Sequence, residues 1–448
     1  MVIFTHDKYL TLVAHFAAMF TAAIPIPINP KAAPAELRLY LEDSAARFLI
    51  IGQEQAAIAA SVVSSLGNPP AIGCDFDLVA ASSNQARITI PTADSPALMI
   101  YTSGTTGQPK AVVHTYANLS AGLSTLAETW HISPADAVLD VLPLFHVHGL
   151  CFAAQTTLLA GGCLLLEDRF ELEQTANSLQ DATVFMAVPT IYYRFLECAE
   201  FPKLAQRWQS VRLYTCGSAP VRPEVLPNLA AILGKPIINR YGMSEALVIA
   251  SVPLQGPYPV GSVGLPLRGV EWRLIRDTSQ QSTNTEVGEI AVRGPHLFRE
   301  YWRRPELTRE RIREGWFYTG DYGYLDEQGF LYLVGRRDDL IITSGFNVYP
   351  QTVEQAINSY PGVRESVVVG LPDRMRGEIV AAVVVTEEAK ITEANLQNYL
   401  RDKLSGYQVP RIIRIVPSIP RNALGKILRQ QIREYLLEEL QSKPGHSP

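Results

Sequence analysis

From Ala97 onward, short apolar runs alternate with longer segments of helical periodicity. ALMIY is followed by VVHTYANLSAGLSTLAETW, VLDVLP by HGLCFAAQTTLLAG, and CLLLE by FELEQTANSLQ. ATVFMAV then precedes PTIYYRFLECAEF, and VRLYTCG precedes PEVLPNLAAILG. Strand–helix repetition of this kind predicts crossover units and largely parallel sheets buried on both faces, an α/β class. Upstream, YLTLVAHFAAMFTAAIPIPI (Tyr9–Ile28) is apolar, but His15 interrupts it and Pro25 and Pro27 break its end. Lys8 is also offset by Asp7, so a buried helix running into a buried strand is expected rather than a secretory signal.

The texture changes after Val252. QGPYPVGSVGLPLRG is dense in Pro and Gly and leads into EWRLI, GEIAVRG and FLYLVG, a strand-rich subdomain at about 253–336. A charged knot, Gly335-Arg336-Arg337-Asp338-Asp339, precedes an independent α+β pattern in which ESVVVG, EIVAAVVVTEE and RIIRIV read as strands. ITEANLQNYLRDKL and ILRQQIREYLLEELQ read as helices. Four consecutive charges do not suit a core, so a hinge is expected there. It separates a domain of residues 1–336 from a small mobile domain of residues 337–448.

Ligands of parallel α/β sheets sit at the carboxyl ends of strands. Three unusual loops fall there: TSGTTG after ALMIY, SAP after LYTCG, and YGMSEA after PIINR. In YTSGTTGQPK, the backbone amides around Gly104 and Gly107 combine with hydroxyls from Thr102, Ser103, Thr105 and Thr106. Together they make a donor-rich concavity suited to a polyanion. The spacing is not that of a Walker loop, since two residues separate the glycines and a proline precedes Lys110.

Composition narrows the classes. The 448 residues are 47% hydrophobic and 19% charged, a globular balance too long for one core. A formal net charge of -5 argues against a nucleic-acid partner held by bulk electrostatics. Cys74, Cys151, Cys163, Cys198 and Cys216 have no paired spacing, which fits reduced thiols in a cytoplasmic protein.

Seven signals stand in order: YTSGTTGQPK, LPLFHVHG, GSAP, RYGMSEA, YTGD, GRRDDLIITSGFNVYP and PRNALGKILR. With these in view the chain resembles the adenylate-forming superfamily of acyl-CoA synthetases, peptide-synthetase adenylation domains and luciferases, from about residue 9 to about residue 435. LFHVHGL, TLLAGG and VPTIYYR are most similar to malonyl-CoA and related short-acyl-CoA synthetases. The resemblance implies joining a carboxylate to the α-phosphate of ATP, expelling pyrophosphate, and passing the acyl group to the thiol of coenzyme A. Two anions must meet in that reaction, so cations and oriented donors are required.

By the same resemblance, Thr102–Gly107 hold the β- and γ-phosphates, with Lys110 adding charge, and Glu245 and Thr105 hold Mg2+. Asp321 accepts from the ribose hydroxyls, supported by Arg336. Gly217, Ser218, Ala219, Asn239 and Tyr241 surround adenine, and Gly242, Met243 and Ser244 complete the nucleotide site. Lys426 bridges the attacking carboxylate and the α-phosphate. Asp338 is the pivot of the small domain, and Ser344, Gly345 and Phe346 line the coenzyme A tunnel.

His146 falls beside the acyl carboxylate, with Val147, Gly242, Ala246, Leu247 and Val248 lining the acyl side. An arginine that malonyl-CoA synthetases use for the second carboxylate is expected at position 258, which holds Tyr258. With the apolar run Ala246–Ala250, that favours a monocarboxylic acid with a small or medium apolar tail. A carrier-protein pantetheine as acceptor, a dicarboxylate synthetase and a non-catalytic binding module are the alternatives. Members of the family carry further residues ahead of the segment matching Tyr9, which leaves open a short gene or an early sheet and helix outside this chain.

Overall fold

The computed structural model describes residues 1–74, 90–102, 109–276, 287–387, 391–421 and 427–442. Its contacts divide the chain into two compact units, Met1–Glu271 with Val292–Phe317, and Trp272–Ala291 with Tyr318–Pro448. The strand-rich stretch 253–336 is thus shared between the units.

The first unit contains the expected parallel sheets. Four parallel strands lie in the order Ile26–Pro27, Val2–Phe4, Phe48–Ile51 and Ala71–Cys74. A second sheet of seven runs Leu265–Pro266, Leu247–Ser251, Ile237–Met243, Leu213–Cys216, Val184–Ala187, Ala137–Asp140 and Cys163–Leu166. Its five members nearest the Cys163–Leu166 edge are parallel, and the two nearest the other edge are antiparallel. Leu139, Phe185, Tyr192, Phe195, Trp208 and Tyr214 fill one face of this sheet against the crossover helices. The α/β class read from the alternating pattern is borne out.

Two local readings change. VVHT opens no helix: Lys110–Thr115 is a strand paired antiparallel with Pro96–Thr102. The β-branched Val112 and Val113 suit a buried pleat. The helix Tyr116–Thr129 starts only where Thr115 Oγ1 accepts from Asn118 N at 3.1 Å, an N-cap. HGLCFAAQ (His148–Gln155) is helical as expected, but as eight residues of π-helix, buried throughout. Gly149 is required there, because a Cβ would lie 2.6 Å from the Pro143 carbonyl oxygen.

The helix Lys8–Phe20 is tied to the seven-stranded sheet and the π-helix by buried polar contacts. Lys8 Nζ donates to the Asp140 carbonyl at 2.9 Å and lies 3.6 Å from its carboxylate, both side chains nearly inaccessible. His15 Nε2 and Gln155 Nε2 are 2.8 Å apart. Burial raises the Asp140 pKa to about 6 despite the lysine.

In the second unit, Phe346–Val348, Ile341–Thr343, Gly377–Thr386 and Val363–Asp373 form an antiparallel sheet, and Ile412–Ile415 adds in parallel beside Gly377–Thr386. Strand alternation separates two cores. Val368, Val380 and Val384 meet Val353, Ile357, Leu396 and Leu400 from the helices Pro350–Asn358 and Glu393–Arg401. Val367, Val369, Ala381 and Val383 meet Ile432 and Leu436 from the helix Arg429–Ser442.

Candidate active site

The hairpin Pro96–Thr102/Lys110–Thr115 closes with Thr102 opposite Lys110, where Thr102 Oγ1 donates to the Lys110 carbonyl at 3.3 Å. Ser103, Gly104, Thr105, Thr106 and Gly107 lie outside the described residues. Lys110 Nζ donates to Glu245 Oε1 at 2.8 Å and to the Tyr301 hydroxyl at 2.9 Å, lying 4.2 Å from the Tyr301 ring centroid. Tyr301 in turn donates to the same Glu245 oxygen at 2.8 Å. Burial alone would raise the Glu245 pKa, but the Lys110 charge and these hydrogen bonds hold it below the ordinary carboxylate range. The preceding backbone is fixed as well, since His114 Nε2 lies 2.7 Å from the Ser244 carbonyl.

A second cluster forms where Leu213–Cys216 and Ile237–Met243 run side by side. Ser218, exposed and at φ 70, points its hydroxyl inward. It accepts from Arg240 Nη2 at 2.9 Å and lies 3.1 Å from His148 Nδ1. Arg240 is 3% exposed and lies 4.9 Å from the Phe152 ring centroid. A Cβ on Gly217 would fall 2.6 Å from Arg240 Nε, so glycine is what lets the guanidinium pass.

The other first-unit residues serve varied local ends. Asn239 donates from Nδ2 to the Ser262 carbonyl at 2.8 Å and accepts from its neighbour's amide at 3.1 Å, so its side chain is engaged within the fold. Tyr241 is buried, Gly242 and Met243 are half-buried at the strand end, and Ala219 is half-buried after Ser218. Ala246 and Val248 are buried, and Leu247 packs against the helix Tyr116–Thr129 beside Gly122. His146 is half-buried against the Phe145 ring, and burial lowers its pKa to about 4, which keeps the imidazole neutral. Val147 is buried just before the π-helix.

In the second unit, Asp321 and Arg336 are direct partners on adjacent strands, with Arg336 Nε 3.0 Å from Asp321 Oδ1. Asp321 is buried and Arg336 is half-exposed. Asp338 is exposed in the single turn Arg337–Asp339. Ser344 and Gly345 take φ of 52° and 82° at a hairpin tip, and Phe346 stacks on Tyr407 with centroids 4.6 Å apart. A Cβ on Gly345 would meet no atom within 4 Å, so it is the backbone turn that favours glycine. Lys426 lies outside the described residues.

Against known families, the AMP-binding enzyme family matches residues 2–302, and its AMP-binding enzyme C-terminal domain matches residues 352–426. This chain belongs to the AMP-binding enzymes. The adenylate-forming resemblance read from the motifs is therefore borne out. A probable CoA ligase of Humulus lupulus is 36% identical over 77% of this AMP-binding enzyme and 62% of its own length. The chain thus spans less than two thirds of that relative. The malonate–CoA ligase of Arabidopsis thaliana is 32% identical over 93% of the chain and 74% of its own. ATP-bound MatB from Rhodopseudomonas palustris superposes with a TM-score of 0.91 at 32% identity, covering 97% of this chain and 88% of that one.

Two side chains that join these clusters of the AMP-binding enzyme carry no motif of their own. Tyr301 stands in REYWRR, distant in sequence from both groups that it joins. Arg240 opens RYGMSE, ahead of the tyrosine and glutamate that define that motif. The second histidine of FHVHG, His148, was the available signal for the Arg240 cluster.

Proposed function

We propose that this AMP-binding enzyme is an acyl-CoA synthetase. In the first step a carboxylate oxygen attacks the α-phosphorus of ATP, forming the acyl–phosphate bond and releasing pyrophosphate. In the second, the thiol of coenzyme A attacks the acyl carbon and AMP leaves. The relatives named as CoA ligases support this reading. The observation that carries it is the buried Glu245 carboxylate, kept ionised by a lysine from the hairpin in whose sequence TSGTTG falls. An ionised buried carboxylate is the donor that Mg2+ takes together with phosphate oxygens. Both side-chain hydrogen bonds to Glu245 land on Oε1, so the donor set fits the metal through the other oxygen. When bound, Mg2+ would neutralise charge developing on the triphosphate.

Asp321 would take the ribose hydroxyls, oriented by Arg336. A neutral His146 would lie by the acyl carboxylate without trapping it in a salt bridge. Lys426 would supply the ammonium for the pentavalent phosphorus, and Ser344–Phe346 would meet the pantetheine after movement about Asp338. A cytoplasmic setting and a place in fatty-acid metabolism fit the scattered spacing of the cysteines and the acyl chemistry. ATP–pyrophosphate exchange over a panel of carboxylic acids tests the reading, followed by thioester formation with coenzyme A and with a holo-carrier protein. Lys426→Ala should lower exchange by about 100-fold or more while sparing thioester formation from preformed acyl-adenylate. Equal loss of both half-reactions would remove Lys426 from its role.

A further inference from the structure

Glu245 stands at the tip of a hairpin. Met243 pairs with Leu247 across the antiparallel strands Ile237–Met243 and Leu247–Ser251, so Ser244, Glu245 and Ala246 form the turn between them. Two hydrogen bonds hold that turn from outside. His114 Nε2 donates to the Ser244 carbonyl at 2.7 Å, and the Phe298 amide donates to the Glu245 carbonyl at 2.8 Å. A carbonyl can only accept, which fixes the His114 proton on Nε2.

Leu247 closes the turn under strain. Its φ is 49°, in the left-handed region that residues with a Cβ avoid and that a bulky side chain suits least. Asparagine and aspartate are tolerated there because their side chains hydrogen-bond locally, which leucine cannot do. Such strain persists only where the surroundings over-determine the conformation, and it gathers at functional sites.

The contact that holds it comes from the helix Tyr116–Thr129. Leu247 is 1% exposed, and a Cβ built on Gly122 would fall 2.4 Å from its Cδ1. Glycine in the middle of a helix is otherwise unfavourable. At 122 it leaves the socket that the leucine fills. The strand Lys110–Thr115 runs straight into this helix, so segments 110–122 and 244–247 meet three times: Lys110 on Glu245, His114 on Ser244 and Gly122 on Leu247.

We propose that Leu247, seated in the Gly122 socket, is a positioning residue that aims the Glu245 carboxylate. The proposal rests on the reading of Glu245 as the Mg2+ carboxylate. It moves Leu247 from the acyl lining expected of it to the metal side of the site, where it acts through the turn and touches neither metal nor nucleotide.

The test reads the Mg2+ concentration for half-maximal effect in two ways, in pyrophosphate exchange and in the shift of melting temperature that ATP produces. Leu247→Ala and Gly122→Ala should each raise both midpoints about 10-fold, with a smaller change in the acid's KM. Leu247→Met, which nearly keeps the volume, should stay within about 2-fold of the wild type. The decisive variant combines the two alanines. A Cβ at 122 lies 3.6 Å from the Leu247 Cβ and 3.4 Å from the His296 Cβ, so a methyl there fills the space that Leu247→Ala opens. Gly122→Ala with Leu247→Ala should therefore return both midpoints to within about 3-fold of the wild type. Single variants that lower the melting temperature but leave the midpoints unmoved would reduce Leu247 to packing and overturn the proposal. So would a double variant in which the two shifts multiply. If Gly122→Ala fails to fold, Leu247→Ala against Leu247→Met still decides. Silence with every acid in exchange would count against the ligase reading, and the ATP-induced melting shift would then decide the pair alone. A melting shift that ignores Mg2+ would remove Glu245 from the metal and overturn this proposal with it.

Discussion

At the scale of single residues, Tyr301 joins two motifs that are 135 positions apart, Lys110 and Glu245. Its hydroxyl accepts from the ammonium and donates to the carboxylate, so it fixes both without being needed as a charge. Tyr301→Phe should cost about 2 kcal/mol of stability, because one hydrogen bond to each of two charged groups disappears. The Mg2+ concentration for half-maximal exchange should rise about 10-fold with a smaller change in the acid's KM, a split that a purely structural loss would not give. Titrating Mg2+ against exchange checks it. Lys110 and Glu245 were legible as motif residues. Tyr301 was not, because a hydrogen-bonding tyrosine has no local pattern and its partners come together only by folding.

At the scale of elements, the sheet positions were legible where the apolar run was short and bounded by turn residues, as in CLLLE and VRLYTCG. They failed at VVHT, where a strand passes into a helix without a glycine or proline to mark the join. The π-helix could not be foreseen, since its periodicity over eight residues differs little from that of an α-helix. The pairing of Ile237–Met243 with Leu247–Ser251 shows how tightly one motif is built. A bulge falls between Tyr241 and Gly242, and a Cβ on Gly242 would lie 2.2 Å from the Leu247 carbonyl oxygen. Gly242→Ala must therefore separate the two strands that bracket Glu245. A loss of about 3 kcal/mol, read as a lowered melting temperature, is expected together with weaker exchange.

At the scale of the whole molecule, buried histidines set the acid limit of the first unit. Burial lowers the pKa of His15 to about 3 and those of His114 and His296 to about 4. In the unfolded chain each would titrate near 6.5. Between those values the unfolded chain binds protons that the folded chain refuses, so stability rises with pH. It is fully present above about 6.5 and is lost on acidification, by about 1.4 kcal/mol per pH unit for each histidine in that window. The melting temperature should fall steeply from pH 7 to pH 5, and His296→Gln should make that fall shallower. A flat profile would contradict the assignment. None of this was visible in the sequence, since burial of a histidine depends on what the rest of the chain lays over it.

The first helix has a further consequence. Its lysine is the counter-charge of a carboxylate that ends a central strand, and its histidine meets a glutamine from the π-helix. If that helix frays, Asp140 is left without its cation six residues before His146. An amide-exchange experiment would thus see the start of the chain and the histidine loop open as one cooperative unit, far apart in sequence but equal in protection.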